Sequence, residues 1–274
     1  MQYEQILSEV HESVLTITLN RPQKLNAWTR QMEGEFRDAV EAGAADERVR
    51  AIVVTGAGRG FCAGADMSAL EAAGTATNEQ RAVAASEHRA DHGADLEANY
   101  DWKFSYLLRV PKPVFAAING PVAGIGLCMT MFCDFRHMAR GQKLTTSFAR
   151  RGLIAEHGIS WMLPRLIGPS HALDLLLSAR TLDTDEAAVM GLVKALPADG
   201  FLPAVQATAR EMATLASPRS IRVIKKQVYD ALFQTLDEAW RQADAEMLLS
   251  FASEDFKEGV AHYLEKRAPS FTGR

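Results

Sequence analysis

The chain has 274 residues, 47% of them hydrophobic, and its 30 Lys and Arg against 34 Asp and Glu give a formal charge of -4 and a pI of about 6.0. That balance argues against a nucleic-acid-binding surface, and no run reaches the roughly 18 consecutive apolar residues of a membrane span. Met1 to Leu19 lacks the basic start and apolar middle of a secretory leader, while Cys62, Cys128 and Cys133 are odd in number and lack metal-ligand spacing. A cytoplasmic chain with neither a disulfide framework nor a zinc site is expected.

Ile6 to Val10 and Val14 to Leu19 are β-favouring runs parted by His11, Glu12 and Ser13, which predicts an opening hairpin. A helix is expected over about Trp28 to Ala45. Ala51 to Thr55 and Val114 to Ile118 are short β-rich runs of the kind buried on both faces of a sheet, and a helical region is expected between them near Ala82 to Val110. Each of the two runs leads into a glycine-spaced turn, with Gly56, Gly58, Gly60 and Gly64 after the first and Gly120, Gly124 and Gly126 after the second. Such turns let backbone approach a ligand and leave N–H groups pointing outward, so the pair can aim two donors at one oxygen and form an oxyanion hole. Ser68 to Asn99 is polar and lacks a core stripe. Glu87, His88, Asp91, His92 and Asp95 within it are irregularly spaced, which predicts solvation and no metal. Beyond Cys133 to Met138 the strand signal fades, and helices are expected over Ser170 to Ala179, Thr184 to Met190, Phe201 to Ala216, Pro218 to Leu232 and Leu236 to Ser250. Ser217 before Pro218 is an N-cap followed by proline at the first helical position.

A series of motifs runs along nearly the whole chain in one order. Leu19 to Pro22 with Asn26 and Ala27 comes first, then Phe61 to Asp66, then Gly120 to Gly126 with Cys133 and Asp134. Gly152 to Ile154, Leu163 to Gly168, Glu186 with Ala187, Gly191 to Val193, Ser217 and Pro218 with Lys225, and Asp255 to Gly259 through Glu265 to Arg267 follow. This series resembles the crotonase, or enoyl-CoA hydratase/isomerase, superfamily. The resemblance implies an α/β fold, a spiral of repeated ββα units over residues 1–200, followed by a C-terminal helical trimerisation region over 201–274. A homotrimer or a dimer of trimers is expected. The implied substrate is an acyl-CoA thioester, with no separate cofactor because coenzyme A belongs to the substrate.

By the same resemblance the oxyanion donors are the backbone N–H groups of Ala65 and Ile125. Each such donor is worth about 2.7 to 4 kcal/mol in a transition state. Contacts to coenzyme A are implied at Lys24 and Leu25 and along Ala65, Asp66, Met67 and Ser68. Lys257, Lys266 and Arg267 either meet phosphates or are solvated. Asp66 is expected to brace the first turn or the helix start, Asp134 to hold local backbone, and Ser68 to Asn99 to form a lid.

A hydratase of this family resembles a two-glutamate machine, one carboxylate acting as base and the other as acid. Here the two glutamate positions fall on Cys128 and Phe148, neither of which suits that work. The next carboxylate is Glu156. In the Δ3,Δ2-enoyl-CoA isomerases of the family an acidic residue at this place shuttles a proton between C2 and C4, so Glu156 is the expected catalytic group. Its alternative role is to cap or solvate the loop before a helix over Ile159 to Ile167, with His157 beside it as a structural neighbour. Two other functions stay open: a hydratase or thioester hydrolase with a base from the lid, and an acyl-CoA-binding protein without chemistry.

Overall fold

Among the described residues nine strands form where the apolar runs lie or where the chain doubles back between them. They are β1 (Ile6–His11), β2 (Val14–Leu19), β3 (Ala51–Gly56), β4 (Val114–Ile118), β5 (Val122–Ala123), β6 (Phe135–Ala139), β7 (Lys143–Thr145), β8 (Leu182–Asp183) and β9 (Lys194–Leu196). The computed structural model that shows them describes residues 3–77, 79 and 97–274. β1 and β2 make the expected hairpin, with Ile6 opposite Leu19 and His11 opposite Val14. From β2 onward neighbours are parallel, in the order β1-β2-β3-β4-β6-β9. A smaller sheet, β5-β7-β8, stands beside it. The chain steps from the large sheet to the small one and then into a helix, as the ββα spiral requires.

All six residues of β3 and all five of β4 are buried, because the parallel sheet is covered on both faces. Side chains alternate between two cores. Ile52, Val54, Ala116 and Ile118 face one. That core includes Met32, Phe36, Ala39 and Val40 of α1 (Arg30–Ala45), whose buried stripe follows helical spacing and whose start is capped by the Thr29 hydroxyl accepting from Met32 N. Ala51, Val53, Phe115 and Ala117 face the other.

After α2 (Met67–Thr75), α3 (Ile125–Met131), α4 (Ile159–Ser178) and α5 (Thr184–Val189) comes α6 (Phe201–Leu215), which lays Phe201, Val205, Ala209 and Ala213 on that second face at strict four-residue spacing. The last three helices, α7 (Pro218–Asp230), α8 (Leu236–Phe251) and α9 (Glu254–Glu265), wrap the body, α7 starting at the Ser217 cap as expected. A buried ion pair fixes α7 to the sheet. Asp134 takes the Lys225 ammonium at 2.7 Å and the Tyr229 hydroxyl at 2.8 Å while also accepting from Val114 N at the start of β4. This confirms Asp134 as a holder of local backbone and extends its reach to a helix far along the chain.

Three expectations need correction. Within the helical region expected near Ala82 to Val110, residues 97–110 form two short 3-10 turns, Glu97–Tyr100 and Ser105–Leu108, and no α-helix. Aromatic residues there pack individually and leave no single helical stripe. Strands continue past β6, since β7, β8 and β9 are two or three residues long and too short to show a period. The chain also forms α9, capped by the Ser253 hydroxyl accepting from Phe256 N. The rest of the expected helix near Ala82 to Val110, most of the expected lid, and Glu87, His88, Asp91, His92 and Asp95 lie outside the described residues.

Candidate active site

Both glycine turns lie at the C-terminal ends of neighbouring strands, β3 and β4, and they run side by side. Pro121 O accepts from the N–H groups of Phe61 and Cys62, and Ala123 N donates to Cys62 O at 2.9 Å. Gly64 and Gly124 take the conformations that a side chain resists, with φ of 109° and 51°, and a Cβ on Gly124 would lie 3.9 Å from the Gly64 Cα. With Gly124 absorbing the left-handed turn, Ile125 starts α3 without a positive φ. Among the described residues neither the Ala65 N–H nor the Ile125 N–H has an acceptor. Two unspent donors therefore stand on turns in contact with each other.

Two asparagines hold the first turn in shape. Asn26 is fully buried, accepts from Arg21 N, and donates to Ala57 O at 3.0 Å and Gly60 O at 2.8 Å. Asn119, from the second turn, accepts from Gly56 N and donates to Gly56 O and Gly58 O. Asn119 was missed in the sequence because a polar residue after a strand reads as ordinary turn chemistry. Asp66 braces the helix start as expected. Its carboxylate accepts from the Ser68 hydroxyl at 2.8 Å, pairs with Arg21 at 2.9 Å and accepts from Ser68 N, and these bonds, the hydroxyl's first, hold its pKa down to about 2.

The loop bearing Lys24 and Leu25 is tied to this turn, since Leu25 O accepts from Ala63 N at 3.0 Å. Lys24, Met67 and Ser68 are exposed and Ala65 and Asp66 half-buried. The tail group is less coherent. Arg267 is engaged by Glu258 and Glu265, while Lys257 and Lys266 are exposed.

Cys128 and Phe148, on which the resemblance places the family's two glutamates, are both buried. Burial pushes the Cys128 thiol well above its ordinary pKa, so it stays protonated, and it donates to Glu156 O at 3.7 Å. Glu156 is thus backed onto the middle of α3. Its carboxylate does not cap α4; among the described residues it accepts no hydrogen bond, and His157 Nε2 stands 3.8 Å away. Burial raises its pKa, against a smaller lowering from the Lys103 charge. His157 and Gly158 are both left-handed, with φ of 53° and 74°, and the turn they make lets Glu156 O accept from Ile159 N.

Beyond His157 lies a cavity of 490 Å³ whose wall includes Tyr100, Phe104, Phe132, Trp161 and Phe233. Its residues come from distant segments, so no local pattern announces it. No helix among the described residues is long and apolar enough to cross a membrane.

Residues 9–274 match the family model described as enoyl-CoA hydratase/isomerase. The 1,2-epoxyphenylacetyl-CoA isomerase of Escherichia coli (strain K12) is 34% identical over 275 residues, covering 99% of this chain and 99% of that protein. Among solved structures, the enoyl-CoA hydratase from Bacillus anthracis superposes with a TM-score of 0.87 at 27% identity, over 99% of this chain and 100% of that one. The enoyl-CoA hydratase from Polaromonas sp. JS666 does so with 0.85 at 26% identity, over 97% and 99%. Motif order, sheet topology and relatives agree, and the chain belongs to the enoyl-CoA hydratase/isomerase family of crotonase-fold enzymes.

Proposed function

We propose that the chain is a Δ3,Δ2-type enoyl-CoA isomerase in which Glu156 alone carries the proton. The observation behind this reading is a Glu156 carboxylate that accepts no hydrogen bond among the described residues and has His157 3.8 Å away, while a thiol and a phenyl ring, Cys128 and Phe148, are buried at the two positions where the family resemblance places glutamates. The N–H groups of Ala65 and Ile125 receive the thioester oxygen. Glu156 removes a C2 proton, and the electron pair passes into a dienolate held at that oxygen. The carboxylic acid then returns the proton to C4, moving the double bond from between C3 and C4 to between C2 and C3. The carboxylate is restored. Hydration would need a second group to move a proton, and neither a buried thiol nor phenylalanine supplies one. The Escherichia coli relative is itself named an isomerase of a CoA thioester, which supports this choice over hydration.

Lys24 and Leu25, with Asp66, Met67 and Ser68, hold the coenzyme A end, in a cytoplasmic enzyme. The apolar faces of α7, α8 and α9 pack on further copies as a homotrimer or dimer of trimers.

Incubation with trans-3-enoyl-CoA and trans-2-enoyl-CoA, followed by chromatography, separates the possible activities. Interconversion of the two enoyl thioesters is expected. Formation of 3-hydroxyacyl-CoA or free coenzyme A without interconversion contradicts the proposal, as does binding without turnover.

A further inference from the structure

Six of the twelve described residues lining the cavity beyond Glu156 and His157 are Phe, Tyr or Trp, and we propose that it receives an aryl group at the far end of the acyl chain, making ring-bearing acyl-CoA thioesters the preferred substrates. This rests on the reading that the acyl chain runs past Glu156.

The path is set by α3. Ile125 opens the helix at the oxyanion turn, Cys128 lies against the Glu156 backbone one turn along, and Phe132 follows the last helical residue. At 1.5 Å per residue, Ile125 and Phe132 are about 10 Å apart along the axis. Phe132 lines the cavity, and its ring lies 3.0 Å from where a Cβ on Gly158 would stand. A thioester anchored at Ile125 therefore passes Glu156 with its reacting carbons and delivers its far end to the cavity.

The walls favour a ring over an alkyl chain. Tyr100, Trp102, Phe104, Phe132, Trp161 and Phe233 all line the space, whereas Leu108 is the one aliphatic residue among the described lining. Trp161 and Phe233 stack at 5.2 Å with 11° between planes, and Phe104 stands edge-on to His157 at 81°. The cavity thus offers both a flat face and an edge, the two surfaces that an incoming ring exploits.

These rings are fixed from behind. Arg165 lies over Trp161 and Arg109 over Tyr100, each at 3.9 Å from the ring centre, and Trp28 meets Phe104 edge to face. The Lys103 ammonium, also at the wall, is taken by Glu33 at 2.8 Å. A preformed cavity of 490 Å³ suits a rigid group that loses few rotamers on entry, whereas an alkyl chain must freeze several.

The test is calorimetric binding of saturated thioesters, which cannot isomerise, to the full chain. 6-Phenylhexanoyl-CoA and dodecanoyl-CoA carry the same number of acyl carbons, so their ratio isolates the ring. The phenyl compound is expected to bind about threefold to tenfold tighter, the range of one good aromatic pair. Phe233→Leu and Trp161→Leu should each move that ratio toward unity, and because the ratio is taken within one sample, partial loss of folded protein does not affect it. Dodecanoyl-CoA binding as tightly as the phenyl compound, or a ratio unmoved by both substitutions, overturns the proposal. If the aryl preference holds while trans-3-enoyl-CoA is not isomerised, the cavity assignment stands and the isomerase reading falls. If isomerisation occurs without the preference, the cavity assignment alone falls.

Discussion

Glu156 is held by backbone in a conformation that costs free energy. His157 at φ 53° is a left-handed non-glycine residue, of the kind that costs on the order of 1 to 3 kcal/mol and persists where its surroundings enforce it. What that turn secures is a carboxylate without a hydrogen-bond partner among the described residues and with a pKa raised by burial. As a base it must be ionised, so kcat/KM for isomerisation should fall as pH drops through that raised pKa, with an acid limb above that of a free glutamate. A limb at or below the ordinary glutamate range contradicts the assignment. The stability consequence has a definite sign. Because the folded pKa exceeds the unfolded one, the stabilising contribution is fully present below the unfolded pKa and is lost as pH rises through the folded value. Glu156→Gln should therefore melt at or above the parent at alkaline pH, and the gap should close toward acid; a lower melting temperature at alkaline pH counts against it. The cysteines give a second residue-level expectation. All three are buried, with Cys62 and Cys133 pushed up to about 11 and about 12, so iodoacetamide should leave the native chain unlabelled and modify all three thiols after denaturation. Rapid labelling of the native chain would contradict this. Cys128 and Phe148 were visible in the sequence because a fixed motif count leads to them. Asn119 and the aromatic cavity were not, since their partners lie far away in sequence.

Among the elements, the junction of α7 with β4 rests on a largely buried ion pair. Lys225 is nearly buried, and its ammonium is satisfied by Asp134 together with Leu107 O and Lys112 O. Asp134→Ala leaves that charge without its counterion, and unfolding in urea should show a loss of about 3 to 5 kcal/mol. Adding Lys225→Met should recover part of the loss, because the stranded charge goes with it. A double variant as unstable as the sum of the two singles would show that the two residues act independently. The start of α7 was readable from Ser217 and Pro218, because capping is a local device. The clamp that holds it was not, since 91 residues separate its partners. The 3-10 turns at 97–110 were misread as a helix for a related reason: each ring there is placed by a different distant neighbour, as Trp28 places Phe104 and Phe233 meets Tyr100.

Across the whole molecule the two ends of the chain differ in how they treat apolar surface. The body hides it in two cores, whereas α8 buries none of its residues and leaves Trp240 65% and Leu248 72% exposed. Large apolar side chains left exposed along one helix support the proposed packing against further copies. Leu248→Glu with Trp240→Glu should lower the mass seen by light scattering from that of the parent assembly, and an unchanged mass would remove these helices from the interface. α6, α7 and α8 were foreseen from their periodicity, whereas α9 was not. How far they stay uncovered depends on the body's shape, which no helix's own sequence contains. In the proposed mechanism the two glycine turns, the backing of Glu156 by α3 and the path to the aromatic cavity converge on one carboxylate. Steady-state isomerisation of a trans-3-enoyl-CoA by Glu156→Gln, beside the parent and Glu156→Asp, tests that meeting point most directly. The glutamine variant should lose on the order of 10² to 10⁴ in kcat, with aspartate between it and the parent; a glutamine variant as fast as the parent would show that another group moves the proton.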